Sequence, residues 1–92
     1  MVSILIAVYN ASEYLDACLG SIQRQTMADF EALCVDDCST DDSMRILKRY
    51  AAEDNRFKVF STEKNSGQAV ARNIALEAAQ GEIITFLDAD DW

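Results

Sequence analysis

The sequence alternates short apolar runs with amphipathic segments, and this alternation restricts the fold more than any other feature. Apolar runs of strand length begin near residues 2, 30, 56 and 82. The segments between them carry apolar residues at helical spacing. Strand and helix repeat about every 26 to 28 residues, which is typical of a parallel sheet with right-handed crossovers. The pattern predicts an α/β fold with three layers, α/β/α, around a mostly parallel four-stranded sheet.

The first apolar run, Val2 to Val8, indicates a sheet covered on both faces, because it lacks the polar alternation of a strand with one wet face. The third run, Arg56 to Phe60, contains Lys58, and we expect that strand nearer an edge of the sheet. Gly81 is placed to end the third helix as its C′ residue. The apolar stripes of the three helices are predicted as Leu15, Cys18, Leu19 and Ile22; Met44, Leu47 and Ala51; and Val70, Ile74 and Ala78.

Composition limits the classes of protein to which this chain can belong. Half of its 92 residues are hydrophobic and none is proline, which predicts one small unit over residues 1–92 with a packed core. The net charge of −8 argues against nucleic acid or an anionic membrane surface as partner and suits the binding of divalent cations. No apolar run approaches the roughly 18 residues of a membrane span.

The cysteine and histidine content restricts the chemistry further. Cys18, Cys34 and Cys38 are odd in number and unevenly spaced, and no histidine completes a zinc set. We therefore predict reduced, packed thiols in a cytoplasmic protein. The lack of histidine also removes the usual general base and every Ser–His or Cys–His nucleophile arrangement.

Polar residues gather where the predicted strands end. Ligands of open parallel sheets bind beyond the carboxyl ends of the strands, which share one edge. So many carboxylates on one edge are costly without a cation to neutralise them. Three strands deliver these residues: Tyr9 and Asn10; Asp36 and Asp37; and Asp88, Asp90 and Asp91.

Asp88 and Asp90 have the spacing of a cation site. Residues i and i+2 leaving a strand can point to the same side, so both carboxylates can face one Mg²⁺ or Mn²⁺ that also binds phosphate oxygens. The alternative is that these aspartates are loop caps or a solvated rim. For Asp91 the two readings are evenly balanced.

The other residues of this edge also have two readings each. Tyr9 either packs at the end of its strand or stacks on a nucleotide base. Asp36 and Asp37 either begin a capping turn, or one accepts a base N–H while the other braces the loop. Gly67 offers a main-chain N–H at a helix start, where phosphate binds readily. Arg72 is either solvated or reaches a diphosphate or base.

Four motifs together carry a resemblance to a known family. They are VSILIAVYN from Val2 to Asn10, VDDCSTDDS from Val35 to Ser43, NSGQAVARN from Asn65 to Asn73, and FLDADDW from Phe86 to Trp92. In this order they resemble glycosyltransferase family 2. The resemblance implies a Rossmann-like, GT-A fold whose N-terminal half binds a nucleotide-diphospho-sugar with a divalent metal.

The resemblance also implies roles for individual residues. Tyr9 and Asp37 would contact the base, usually uracil, and Arg72 would lie near the base or diphosphate. Asp88 would approach the ribose or the metal's waters, and Asp90 would coordinate the metal. The predicted metal ligands are thus Asp90 and Asp88, and the predicted nucleotide-binding residues are Ala7, Tyr9, Asn10, Asp36, Asp37, Gly67, Arg72, Asp88 and Ala89.

The chain departs from the family pattern at three positions. Ala7 stands where proline is commonest, Cys38 where glycine is commonest, and Asp42 where glycine often follows. The last two require the turn after the second strand to manage any positive φ without glycine.

The sequence stops just after the D-x-D stretch, and enzymes of the family continue well beyond it. The part beyond supplies the acceptor pocket and the carboxylate base that an inverting transfer needs. No residue here is assigned to catalysis, so we expect a donor-binding half that is inactive alone.

Two other classes of function remain as alternatives. One is a phosphatase of haloacid-dehalogenase type, with Asp88 as nucleophile and Asp90 as general acid. Trp92 disfavours it, because those enzymes carry Thr or Val at the fifth position of the motif, where this chain has tryptophan. The other is a non-catalytic module that assembles through an exposed sheet edge, and a homo-oligomer through that edge or an apolar face also fits the donor-binding reading.

Overall fold

The computed structural model describes residues 1–24, 29–62, 64 and 67–88, with the main chain alone for Gln68 and Asp88. Within these residues, strands and helices alternate strictly along the chain. The elements are β1 Val2–Val8, α1 Ser12–Gln23, β2 Phe30–Asp36, α2 Ser43–Glu53, β3 Phe57–Ser61, α3 Gln68–Ala78 and β4 Ile83–Asp88.

The strands form one parallel sheet in the order β3-β2-β1-β4, which confirms the predicted architecture. In this register Ala7 of β1 lies between Val35 of β2 and Asp88 of β4. The carboxyl ends of the strands therefore share one edge. β3 lies at the border of the sheet, as Lys58 indicated.

The two faces of the sheet are covered by different helices, which explains why β1 is apolar throughout. Ile6 and Val8 pack in a core with α1 and α2. Leu5 and Ala7 point the other way and pack in a second core with α3. Successive residues of a strand point to opposite faces, so a strand buried on both sides needs apolar residues at every position.

Helix α3 faces the sheet with its small residues. Ala71 and Ala75 are fully buried, whereas Val70 is 41% exposed. The prediction that Val70 belongs to the buried stripe is therefore wrong. Alanines four residues apart let the helix approach the sheet closely, and this approach fixes the rotation of the helix about its axis.

Gly81 allows two main-chain segments to approach closely, and it does not cap a helix. Helix α3 ends at Ala78, and Ala79 is already extended with φ −67° and ψ 134°, so the predicted C′ role is wrong. A Cβ atom on Gly81 would lie 2.5 Å from Ser3 Oγ and 2.8 Å from the Met1 carbonyl oxygen. Only glycine fits where the chain enters β4 beside β1.

Strand β4 is the most exposed strand of the sheet. β1 is its only strand neighbour within the described residues. Four of its apolar side chains are open to solvent, namely Ile83, Ile84, Phe86 and Leu87. Separately, none of the described helices combines the length and apolar character needed to cross a bilayer.

The three cysteines are free thiols in different surroundings. Cys34, on β2, is buried in the core formed with α1 and α2, and Cys18 is partly buried against the same core. Burial raises the pKa of both thiols. Cys38 is exposed on the loop after β2, so the prediction of packed thiols holds for two of the three and is wrong for Cys38.

Candidate functional site at the carboxyl end of the sheet

The loops that follow β1 and β2 are joined to each other. The Asp37 amide donates to the Val8 carbonyl oxygen at 2.8 Å. The Asn10 amide donates to Ser39 Oγ at 2.9 Å, and the Thr40 amide donates to Asn10 Oδ1 at 2.8 Å. The Asn10 side chain therefore braces the second loop.

The second loop also caps the first turn of α1. The Ala11 amide donates to Ser43 Oγ at 3.0 Å, and the Ser12 amide donates to Asp41 Oδ2 at 3.1 Å. Burial opposes ionisation of Asp41, but hydrogen bonds from Ser43 and Ser12 bring its pKa down to about 2. Asp41 serves the second helix as well, because its Oδ1 accepts a hydrogen bond from the Ser43 amide at 2.9 Å. The acidic turn therefore caps the starts of both α1 and α2.

The turn after β2 accommodates its positive φ without glycine. Cys38, where the family usually has glycine, adopts φ 59°, in the left-handed region. Asp42 has φ −82° and needs no glycine. The missing glycines therefore matter at one position, and a left-handed non-glycine residue there costs about 1 kcal/mol.

Asp37 connects three parts of the site. Its side chain is fully buried. Oδ1 accepts a hydrogen bond from Thr62 Oγ1 at 2.7 Å, and Oδ2 accepts one from the Gly67 amide at 2.8 Å. The carboxylate thus ties the end of β2 to the residue after β3 and to the start of α3. Thr62 was not singled out from the sequence, because nothing local distinguishes it from other loop threonines.

Asp36 differs from Asp37 in its hydrogen bonding. It is 3% exposed, and its Oδ2 accepts a hydrogen bond from the Ser39 amide at 3.1 Å. Its Oδ1 is buried and has no hydrogen-bond partner among the described residues. Buried carboxylate oxygens normally have a partner, so Oδ1 is an acceptor left open at the predicted ligand edge.

Helix α3 contributes a glycine and a cation. Gly67 is the N-cap residue, with φ 93° and ψ 163°, a conformation that is essentially restricted to glycine. The Arg72 guanidinium lies 5.5 Å from the centre of the Phe86 ring, which places it between α3 and β4.

The structure brings most of the predicted residues to one edge. Ala7 is buried with its methyl group in the α3 core, Tyr9 is half-buried, and Asn10 is exposed. The main chain of Asp88 ends β4 beside Ala7. Ala89, Asp90 and Asp91 lie outside the described residues, so the metal site stays a prediction. The described part of the chain contains no cluster of three or more His, Cys, Asp or Glu residues able to hold a metal ion.

Known proteins resemble this chain in sequence and in structure. EpsH of Bacillus subtilis (strain 168), named as a glycosyltransferase, is 50% identical over 91 residues, which are 99% of this chain and 26% of EpsH. S. aureus TarS 1-349 in complex with UDP superposes with a TM-score of 0.89 at 38% identity, covering 97% of this chain and 27% of TarS 1-349.

A third similar protein is a mannosyltransferase. The mannosyltransferase PcManGT of Pyrobaculum calidifontis, in complex with GDP-Man and Mn²⁺, superposes with a TM-score of 0.89 at 29% identity, covering 97% of this chain and 27% of that one. This chain therefore spans about a quarter of the length of these three proteins.

The family itself is identified by a match over nearly the whole chain. The family model described as "Glycosyl transferase family 2" matches residues 3–92. This match agrees with the four motifs and with the three-layer parallel sheet. The chain belongs to glycosyl transferase family 2.

Proposed function

We propose that this chain binds a nucleotide-diphospho-sugar, most simply a UDP-sugar, at the carboxyl end of its sheet. It would be the donor-binding half of an enzyme that moves the sugar to an acceptor hydroxyl. The observation that carries the proposal is the buried Asp36–Asp37 pair, with one acceptor oxygen open. Similar structures hold UDP, UDP-GlcNAc or GDP-Man. The match to glycosyl transferase family 2 disfavours the phosphatase alternative.

We expect carboxylate oxygens to recognise the base by accepting hydrogen bonds from it. Each oxygen of a carboxylate can accept more than one hydrogen bond. Asp37 can therefore accept the N–H of a uracil ring while it keeps Thr62 and Gly67. Asp36 Oδ1, which has no partner among the described residues, would be a second acceptor for a ligand donor, and the half-buried ring of Tyr9 would stack on the base.

The diphosphate is expected to bind with Mg²⁺ or Mn²⁺. Asp90 would coordinate the metal, and Asp88 would face the ribose or the metal's waters. A divalent ion there would neutralise the negative charge that develops on the departing nucleoside diphosphate. Mn²⁺ in the PcManGT complex and the net charge of −8 support this assignment.

Transfer of the sugar is expected to need residues beyond these. An inverting displacement requires a base to deprotonate the acceptor hydroxyl. We assign no carboxylate of this chain to that role, and we propose that the chain alone does not catalyse transfer. We also propose that it works in the cytoplasm, where its reduced thiols are stable.

Calorimetric titration of UDP with and without Mn²⁺ tests the donor site. We expect Asp37→Ala to weaken UDP binding in both conditions. Asp90→Asn should weaken only the Mn²⁺-dependent part, and Glu77→Gln, an exposed acid of α3, serves as a matched control. A folded protein with no Mn²⁺-dependent UDP binding would refute the donor site, and equal losses in both variants would refute the division of roles.

We further propose that the chain forms a homo-oligomer through β4. An open strand edge with exposed apolar residues favours pairing with a second copy. Light scattering should show dimers, and Ile84→Lys should shift them to monomers. Tyr14→Lys, at an exposed position on α1, should not. A monomer over a wide concentration range would contradict this proposal.

A further inference from the structure

We propose that Thr62 is a positioning residue that orients the Asp37 carboxylate and thereby sets the discrimination between bases. The inference rests on the proposed function, in which Asp37 accepts the N–H of the base. It extends that function to a residue outside the four family-like motifs.

The position of Thr62 is fixed by its main chain. The Thr62 amide donates to the Asp36 carbonyl oxygen at 3.0 Å, which continues the pairing of β3 with β2 by one residue. The side chain is half-buried, and its Oγ1 lies 2.7 Å from Asp37 Oδ1. The contact therefore rests on the sheet and not on a separate loop.

The carboxylate needs two fixed donors to have a defined plane. Rotation about the last bond of an aspartate side chain is broad and roughly two-fold. The Gly67 amide holds Oδ2 from the start of α3, and the Thr62 hydroxyl holds Oδ1 from the end of β3. Removing the hydroxyl takes away the donor that holds Oδ1 from β3, so the plane that a base N–H must meet is less well defined.

Thr62 has a second acceptor within reach, but the carboxylate is the one it favours. Its Oγ1 also lies 2.8 Å from the Lys64 carbonyl oxygen. One hydroxyl proton serves one acceptor at a time, and the charged carboxylate is the stronger acceptor. Because an oxygen of a carboxylate can accept more than one hydrogen bond, the hydroxyl keeps Asp37 Oδ1 when a base N–H reaches it.

The test compares UDP with its N3-methyl derivative, which lacks the base N–H. The wild-type chain should bind UDP about tenfold more tightly than N3-methyl-UDP, the effect of one hydrogen bond to a charged group. Thr62→Val should lose most of that ratio while its affinity for N3-methyl-UDP stays nearly the same. Thr62→Ser should restore the ratio. Thr85→Val, an exposed threonine of β4, is the matched control.

The outcomes separate this inference from the function on which it rests. A Thr62→Val protein that is folded and keeps the wild-type ratio would overturn the role of Thr62. Should Thr62→Val not fold, Thr62→Ala answers the same question, with thermal unfolding measured beside it. A wild-type chain that binds both ligands equally would instead refute base recognition by Asp37.

Discussion

Strand β2 places buried acidic side chains near both ends, and the surroundings of the two ends differ. Near the amino end, Glu31 is 2% exposed. Its Oε2 accepts hydrogen bonds from Ser3 Oγ and from the Gln80 amide, each at 2.6 Å. Its Oε1 accepts one from Lys58 Nζ at 2.9 Å. At the carboxyl end, Asp36 keeps a buried oxygen without a partner among the described residues.

This difference separates an acid whose hydrogen bonds lie within the fold from one whose hydrogen bonding is incomplete. Burial opposes ionisation of Glu31, but hydrogen bonds from Ser3, Gln80 and Lys58, with the charge of Lys58, bring its pKa down to about 2. Its hydrogen-bonding capacity is used within the chain. At the opposite end, where parallel sheets bind ligands, Asp36 Oδ1 has no partner among the described residues.

Replacing Glu31 should have the largest effect on stability. Glu31→Ala leaves the Gln80 amide without its buried acceptor, and it also removes the partner of Ser3 and Lys58. We expect a loss of about 2 to 4 kcal/mol in the free energy of unfolding, measured with urea. Glu77→Ala, on the exposed face of α3, should change it by less than about 0.5 kcal/mol. A loss this small in Glu31→Ala would remove the contrast between the two ends.

Gly81 and Gly67, whose amides donate hydrogen bonds at opposite ends of the sheet, should lose similar stability when replaced by alanine, for different reasons. The Gly81 amide donates to Ser3 Oγ and the Gly67 amide to Asp37 Oδ2, both at 2.8 Å. Gly81→Ala collides with main-chain atoms, and Gly67→Ala meets no neighbour within 4 Å but opposes the φ of 93°. Each should cost about 1 to 3 kcal/mol.

Binding distinguishes the two glycine variants where stability does not. Only Gly67→Ala should also weaken UDP binding, because it displaces a donor of Asp37. The measurements are urea unfolding and UDP titration of both variants. Weaker UDP binding in Gly81→Ala, measured on folded protein, would show that the two ends are not independent.

Acid should weaken the hydrogen bonds around Glu31, at the amino end of the sheet, and should cost less stability than the substitutions above. The pKa of Glu31 is lowered from 4.5 to about 2 in the folded chain, so the unfolded chain takes up the proton first as pH falls. The stabilisation is complete above about pH 5 and is lost toward pH 2. Between pH 6 and pH 3.5, wild type should lose about 1 kcal/mol more than Glu31→Gln.

This comparison with Glu31→Gln isolates one carboxyl group from the others. Asp41 and Asp54 also have a pKa lowered to about 2, and they contribute to acid sensitivity equally in both proteins. Parallel curves of unfolding free energy against pH would contradict the assignment to Glu31.

The sequence predicted what topology determines and missed what depends on distant contacts. In a parallel sheet the strand ends must meet, so the sequence pattern alone predicts the position of Asp36 and Asp37 at this edge. The partners of Glu31 lie 27 to 49 residues away along the chain, and no local pattern indicates them. Val70 was misplaced because the rotation of α3 depends on how closely its alanines approach the sheet.

The most direct test of the nucleotide site is a map of amide shifts by two-dimensional NMR during titration of UDP with Mg²⁺, which is diamagnetic. Binding at the carboxyl end predicts shifts at Tyr9, Asn10 and Gly67, with the amides of Ser3 and Gly81 near the amino end unchanged. Shifts centred on Ser3 and Gly81, or no shifts in a folded protein, would contradict a donor site at the carboxyl end of the sheet.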